Sequence, residues 1–242
     1  RAIPSEVAPA LIALEAALAA HEPGQGVAAR HATHAQRNAE ARKAVLAAAQ
    51  PDSAEGMTKA QVALALSQAL EGHDASVLSE LGCPMAPMAL THHRAWYQEP
   101  HAGGLGWSFP AAMGMQLASP GRLIVATMGD GSYMFSNPVA CHQIAEALAL
   151  PVLIIVLNNA EWGAVRHSVS GLYPQGHAVR ANQMPLTGLS PSPDFTLIAQ
   201  ASRALGLKAT TAEEFAATLA QALEHVTARK GAALIDVTVR RD

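Results

Sequence analysis

The sequence predicts an α/β fold: a doubly wound, mostly parallel sheet with helices on both faces. From about residue 58, apolar runs of strand length alternate with helical patterns, which is the order of βαβ units. These runs are apolar along their whole length, as in strands that are buried on both faces. Two successive runs also end in glycine, aspartate or asparagine. In open α/β sheets, ligands bind beyond such strand ends.

The first 57 residues have a different sequence pattern, without strand-like runs. Two alanine-rich helices are predicted at 5–21 and 31–49, divided by the turn-prone segment 22–26 and followed by a linker at 50–57. The chain starts with arginine, and its first helix has no preceding structure to pack against. We therefore expect this chain to be part of something longer.

From residue 58 onward, capping residues and prolines mark the helix starts. The pairs at these starts are Thr58 with Gln61, Ser108 (as N-cap) with Pro110, Asn137 with Pro138, Pro193 with Asp194, and Thr211 with Glu214. Four of these helices are predicted to end near Glu71, Ala149, Leu205 and Ala228. The predicted strands are 75–79, 122–128, 152–157, 207–210 and 233–239, and a long loop follows the first of them.

Composition limits the classes of partner. Half of the 242 residues are apolar, which is enough to bury a substantial core. Only 14% are charged, and the net charge of −3 includes no basic block, so we expect no nucleic-acid partner. No apolar run reaches the ~18 residues of a membrane span, and no signal peptide is evident, so we expect a cytoplasmic protein without membrane contact. Cys83 and Cys141 lack metal-ligand spacing and are predicted to be buried apolar residues.

A carboxylate directly follows the strand at 122–128, within Gly129-Asp130-Gly131-Ser132. Taken alone, this is an ordinary tight turn. A dinucleotide-binding fingerprint is disfavoured, because Met134 stands where the third glycine is needed. A magnesium ion that holds a diphosphate would give each residue of this segment a role, because such an ion needs a carboxylate together with neutral oxygens.

The next strand ends in Asn158-Asn159. On the magnesium interpretation, Asp130 supplies the charge, Asn159 a side-chain oxygen and Glu161 a backbone carbonyl. Gly129 and Gly131 would let the backbone approach the phosphates, and Ser132 would offer a hydroxyl. Ser79 and Glu80, at the end of the first strand, border the same edge or cap a loop, and the sequence does not separate these alternatives.

Three motifs in this order resemble those of thiamine diphosphate (thiamine pyrophosphate) enzymes. They are the glycine-rich segment HAGGLGWSFPAA at 101–112, GDGS, and the two asparagines, with 28 residues between Asp130 and Asn159. The first segment is similar to those of benzoylformate decarboxylases and acetolactate synthases. The resemblance implies that 58–242 is the pyrophosphate-binding domain, and that 1–57 is the tail of a central domain with a helical linker.

The resemblance also implies roles for individual residues. The magnesium ligands would be Asp130, Asn159 and the main chain of Glu161. The cofactor-binding residues would be Gly103, Gly104, Leu105, Gly129, Asp130, Gly131, Ser132 and Asn159. The Leu105 side chain would bend the cofactor so that its two rings meet, although Leu105 could also be simply a core residue. As a hypothesis from its position, His101 would handle protons or the substrate carboxylate.

The implied activity is that of a thiamine diphosphate- and magnesium-dependent 2-oxo acid decarboxylase or carboligase, an acetolactate synthase-like lyase or transferase. Val165 stands where pyruvate decarboxylases carry an acid, which disfavours that activity. Two alternatives remain: an acyl-CoA lyase similar to oxalyl-CoA decarboxylase, for which Arg166, Arg180 and Arg203 are scattered, and a non-catalytic assembly module. Whether flavin is bound stays open.

The pyrimidine-binding domain that carries the activating glutamate in this family is not found in the sequence. The resemblance therefore implies that the chain is inactive without that domain, from the same gene or a companion chain, in a homodimer or homotetramer. The eleven histidines offer no convincing zinc site, because His31 with His34 and His92 with His93 bring no other ligand at suitable spacing.

Overall fold

The computed structural model describes residues 4–52, 56–98, 104–181, 184 and 186–241. The chain divides into two compact units, Arg1–Ala44 and Val45–Asp242. The first unit holds helix α1 (Val7–Ala19) and most of α2 (Val27–Ala48), close to the predicted pair. The predicted domain boundary at residue 57 stays a prediction.

The second unit is built on a six-stranded sheet in which every strand pairing is parallel. Its strands are β1 (Ala75–Glu80), β2 (Trp96–Gln98), β3 (Leu123–Gly129), β4 (Val152–Asn158), β5 (Leu205–Ala209) and β6 (Ala233–Thr238). Their order in the sheet is β2-β1-β3-β4-β6-β5. The order reverses beside β1 and β3, which makes their carboxyl ends the expected ligand crevice.

Helices cover both faces of the sheet, as predicted. The helices of the second unit are α3 (Lys59–Ala69), α4 (Ser108–Ala118), α5 (Asp130–Phe135), α6 (Pro138–Ala147), α7 (Gly163–Leu172), α8 (His177–Arg180), α9 (Phe195–Gln200) and α10 (Ala212–Thr227). Helices α7 and α8 were not predicted, and they bury none of their residues. Alternate residues of each strand face opposite sides, so two separate cores form. One contains Leu66 of α3 and Phe215 of α10, and the other contains Phe109 of α4 and Phe195 of α9.

Both predicted capping boxes form, at the starts of α3 and α10. The prediction of Ser108 as an N-cap is wrong, because Ser108 is the first residue of α4 and the capping position belongs to Trp107, whose side chain makes no capping bond. Asp130 and the residues after it form a short helix instead of a tight turn. Both cysteines are free and buried, as predicted.

One strand and the boundary between α9 and β5 also differ from prediction. The edge strand β2 lies inside the predicted long loop, and its three residues are too few to show a pattern. Helix α9 ends at Gln200, well before the predicted Leu205, because Arg203 adopts a left-handed φ of 58° that breaks the helix. Strand β5 consequently begins at Leu205.

Among the described residues, no helix combines the length and hydrophobicity that a membrane span needs.

Candidate functional site

A cavity of about 490 Å³ opens at the carboxyl ends of β3 and β4. Seven of the predicted site residues line it: Leu105, Gly129, Asp130, Gly131, Ser132, Asn159 and Glu161. Gly104 is described but does not line the cavity, whereas His101 and Gly103 lie outside the described residues. The structure therefore brings the three motifs to one place, although they are far apart in sequence.

Asp130 is a buried carboxylate that lacks a full set of partners. It is 2% exposed, and its Oδ1 accepts a hydrogen bond from the Gly131 amide at 3.0 Å. Its Oδ2 is buried and has no partner among the described residues. Burial raises the pKa of this carboxyl, and backbone amides, that of Gly131 first, offset part of the rise. A cation at Oδ2 would compensate the buried charge.

The turn after β4 presents the remaining oxygens. Asn159 is 8% exposed, and its Oδ1 accepts from the Glu161 amide at 3.2 Å. Ala160, between them, has a left-handed φ of 53°, which reverses the chain at this point. The Glu161 carboxylate lies 3.8 Å from both Arg166 Nε and Arg241 Nε. Its side chain is thus occupied with arginines, which agrees with a role for its main chain.

The ligand set available here is one carboxylate with neutral oxygens. In the described parts of the chain, no group of three or more His, Cys, Asp or Glu side chains could hold a metal ion. A metal at Asp130 would therefore complete its coordination with the Asn159 amide oxygen, a main-chain oxygen and oxygens of a bound ligand. Magnesium suits such a set, because it takes hard oxygen ligands and commonly shares them with phosphates.

The two glycines beside Asp130 differ in their surroundings. A Cβ at Gly129 would meet no atom within 4 Å, so its surface is open to a ligand. A Cβ at Gly131 would lie 2.5 Å from Cε3 of Trp162, whose ring packs directly over this glycine. The same ring makes an edge contact with Phe135, with centroids 5.9 Å apart. Gly131 is thus required by packing as well as by any phosphate contact.

Leu105 stands at the cavity and not in the core, because 44% of it is exposed. It precedes Gly106, whose φ of +88° suits glycine. A Cβ at Gly106 would lie 2.5 Å from the Ser136 amide nitrogen, so the loop passes close to the end of α5. The exposure of Leu105 does not fit its interpretation as a core residue.

Glu80 lies at the end of β1, and the sequence does not decide whether it borders the ligand site or caps a loop. It is 2% exposed, and its two carboxylate oxygens accept hydrogen bonds from the Gly106 amide at 2.5 Å and the Ser108 amide at 2.9 Å. Glu80 therefore caps the start of α4 across 28 residues of sequence. Of the two open alternatives for Glu80, the structure shows the loop cap.

Other cavity residues were not found from the sequence. Lys59 comes from the start of α3, and His167 and Ser168 come from α7. No sequence signal marks Lys59, because its nearest cavity neighbours in the chain are more than twenty residues away. His167 and Ser168 lie close after Glu161, and a predicted helix there would have pointed to them.

The three arginines considered for an acyl-CoA lyase do not form one basic surface, since Arg203 pairs with Glu146 and Arg166 approaches Glu161.

Comparisons with known proteins agree on one family. The family model described as thiamine pyrophosphate enzyme, C-terminal TPP binding domain, matches residues 81–237. The acetolactate synthase large subunit of Haemophilus influenzae is 30% identical over 175 residues, which cover 71% of this chain and 29% of that protein. Benzoylformate decarboxylase of Pseudomonas aeruginosa is 35% identical over 141 residues, 58% of this chain and 24% of that protein.

A solved structure is also similar. It is the thiamine diphosphate-dependent 4-hydroxybenzoylformate decarboxylase of Rhodococcus jostii RHA1, with a TM-score of 0.65 and 29% identity. The match covers 79% of this chain and 34% of that one. The chain thus spans about a third or less of the length of these relatives.

Proposed function

Since this chain belongs to the thiamine pyrophosphate enzymes and carries their C-terminal TPP-binding domain, we propose that it is the C-terminal portion of a magnesium-dependent 2-oxo acid decarboxylase or carboligase. The observation that carries the proposal is the cavity where Asp130 keeps an unpartnered, buried Oδ2 beside Asn159, with Leu105 on the same cavity. A scaffold would need none of these features together.

Asp130 and Asn159 would hold the magnesium ion through their side chains, and Glu161 would hold it through its main-chain carbonyl. The unpartnered Oδ2 of Asp130 supports this role, because a buried carboxylate oxygen without a partner is costly to keep. The arginines near the Glu161 carboxylate keep that side chain away from the ion. An ion at this position would bridge the protein to the phosphates of the cofactor.

Gly129, Gly131 and Ser132 would receive the diphosphate. The open surface at Gly129 leaves room for phosphate oxygens against the backbone, and all three residues line the cavity. Ser132 is 5% exposed, so its hydroxyl would act from a buried position in the cavity wall. Trp162 packs over Gly131 and thereby forms one wall of this end of the cavity.

Leu105 would hold the two rings of the cofactor in a bent conformation. When bound, thiamine diphosphate supplies a nucleophilic carbon and an electron sink for cleaving or forming bonds next to a carbonyl. Leu105 suits the supporting role because it is apolar, exposed to the cavity and flanked by Gly104 and Gly106. Gly103, Gly104 and His101 remain proposed contacts of the pyrimidine and the substrate.

Where α7 borders the cavity, the lining combines the polar His167 and Ser168 with an apolar side chain, Val165. Val165 is 51% exposed and lines the cavity together with Trp162. An apolar wall favours 2-oxo acids with an apolar substituent over a reaction that needs an acid at this position. Benzoylformate, which gives its name to the similar decarboxylase, is a substrate of this kind.

We also propose that a pyrimidine-binding domain, in the same gene product or a companion chain, completes the site in a cytoplasmic homodimer or homotetramer. The partial coverage of the relatives supports a missing domain. Among the described residues, Asp130 and Glu161 are the acidic side chains that line the cavity, and both are assigned to the metal site. The carboxylate of Glu80 lies beside the Leu105 loop, but it does not line the cavity and both of its oxygens are held by backbone amides, so it does not take the place of the activating glutamate.

Calorimetry tests the proposal on the intact protein, meaning this chain together with its pyrimidine-binding domain. Thiamine diphosphate is titrated into the protein in a buffer that contains magnesium, and the titration is repeated with a chelator in place of magnesium. We expect binding that requires magnesium, followed by carbon dioxide release from at least one of pyruvate, benzoylformate and oxalyl-CoA. Absence of magnesium-dependent binding would refute the enzymatic assignment. Turnover of oxalyl-CoA alone would replace the 2-oxo acid with an acyl-CoA.

A further inference from the structure

Glu80 connects the first strand to the loop that carries Leu105. Its two carboxylate oxygens are both engaged, one by the Gly106 amide at 2.5 Å and the other by the Ser108 amide at 2.9 Å. These two amides bracket the turn immediately after Leu105. Trp107, at the capping position of α4, makes no side-chain capping bond of its own. The carboxylate of Glu80 therefore takes the place of a local helix cap.

The burial of Glu80 indicates a dedicated role. It is 2% exposed, it forms none of the described ion pairs, and it does not line the cavity. Burying a carboxylate costs free energy unless hydrogen bonds compensate it, and two backbone amides at a helix start provide strong, charge-assisted ones. With both oxygens held by amides and no place on the cavity lining, Glu80 is poorly placed to contact a bound molecule.

The same loop also lies directly against the end of α5. Gly106 is so close to the end of α5 that a Cβ there would lie 2.5 Å from the Ser136 amide nitrogen and 2.6 Å from the Phe135 carbonyl carbon. Helix α5 begins at Asp130 and ends at Phe135, so the residue that abuts the loop lies on the element that starts at the proposed diphosphate site. The loop is thus fixed between β1 and the helix of the GDGS motif.

We infer that Glu80 is a positioning residue. It fixes where the Leu105 side chain stands in the cavity, and thereby its distance from Asp130. This role rests on the proposed function, because the position of Leu105 matters through the bending of the cofactor. Glu80 acts through the backbone: its carboxylate holds the amides of Gly106 and Ser108, and these hold the turn from which the Leu105 side chain projects. Reacting groups held about 1 Å from their proper place can lose roughly 100-fold in rate.

Glu80→Gln is the direct test, in the intact protein. Glutamine has the same shape but only one acceptor oxygen, so one of the two amides faces an NH2 group and loses its partner. Glu80→Asp keeps the carboxylate but is one methylene shorter. It is the second test of the positioning role, and it replaces the first if the glutamine variant does not fold. Glu224→Gln, an exposed glutamate on α10, is the matched control.

Three measurements are made on each protein. The first is amide hydrogen exchange of Gly106 and Ser108 without cofactor, the second is calorimetric Kd for thiamine diphosphate with magnesium, and the third is exchange of the cofactor's C2 hydrogen for deuterium at saturation. For Glu80→Gln we expect amide exchange about 10- to 100-fold faster. We expect C2 exchange slower by up to about 100-fold, while Kd changes little. Glu80→Asp should be intermediate, and Glu224→Gln should match the unaltered protein.

The outcomes separate the two ideas. Normal C2 exchange in a folded Glu80→Gln protein that binds the cofactor would overturn the positioning role alone. A loss of cofactor affinity with C2 exchange unchanged once the cofactor is saturating would also overturn it, because Glu80 would then be merely structural. Failure of the unaltered protein to bind the cofactor would overturn the proposed function and this role with it.

Discussion

Replacing Gly131 with alanine would separate its packing role from its proposed contact with a phosphate. Gly131 lies inside α5 and under the ring of Trp162. An added Cβ would lie 2.5 Å from Cε3 and nearer still to Cζ3 of that ring, far inside van der Waals contact. Either the indole or the start of α5 must move, and both border the cavity.

The size of the effect follows from these contacts. Overpacking a well-packed site costs about 1–3 kcal/mol, and for a domain of this size each kcal/mol lowers Tm by about 2–4 °C. Gly114→Ala provides the matched control. Gly114 lies inside α4, where a Cβ meets no atom within 4 Å. There, alanine should stabilise the protein by about 0.5–1 kcal/mol through its higher helix propensity.

The assay is thermal unfolding of the parent chain, Gly131→Ala, Gly114→Ala, Trp162→Leu and the double variant Gly131→Ala/Trp162→Leu. The smaller leucine removes the clashing ring, so alanine at 131 should cost clearly less in that background than in the parent chain. An equal cost in both backgrounds would refute the explanation by Trp162. A Gly131→Ala protein as stable as the parent would refute the packing role altogether.

Three further predictions concern charge and capping. Asp130→Asn should leave the stability of the cofactor-free protein unchanged or raised, because a buried charge is removed, and it should weaken thiamine diphosphate binding in magnesium by at least about 10-fold, as measured by calorimetry. Burial lowers the pKa of His142 from 6.5 to about 4, so between these values the unfolded chain binds a proton that the folded chain does not. The free energy of unfolding, measured in urea, should therefore fall as the pH drops below 6.5, and His142→Gln should flatten that dependence. Thr211→Ala removes the hydroxyl that accepts from the Glu214 amide at 3.2 Å, and it should cost about 1 kcal/mol in chemical denaturation; no loss would contradict the capping role.

The parts of the fold predicted correctly depend on local patterns. Strand β4 is apolar at nearly every position because helices cover both of its faces, so its run is unmistakable in the sequence. The capping boxes at Thr58 and Thr211 are also local, since each joins residues three apart. The cofactor family follows from three short motifs, and the comparisons confirm it.

The parts that were missed depend on contacts between distant residues. The cap of α4 comes from Glu80, 28 residues earlier, so no local pattern distinguishes it from a capping role for Ser108. The end of α9 is set by a left-handed residue, Arg203, which carries no sequence mark such as glycine would. The closeness of Trp162 to Gly131 likewise arises only when β3 and β4 are paired in register.

The indole of Trp162 gives the molecule an intrinsic optical reporter. Its ring lies against Gly131 and Phe135 and borders the cavity, so a molecule that enters near Asp130 changes the environment of this chromophore directly. Of the other two tryptophans, Trp96 sits on the edge strand and Trp107 at the start of α4, and neither lines the cavity. Fluorescence can therefore follow occupancy of this end of the site in the unlabelled protein.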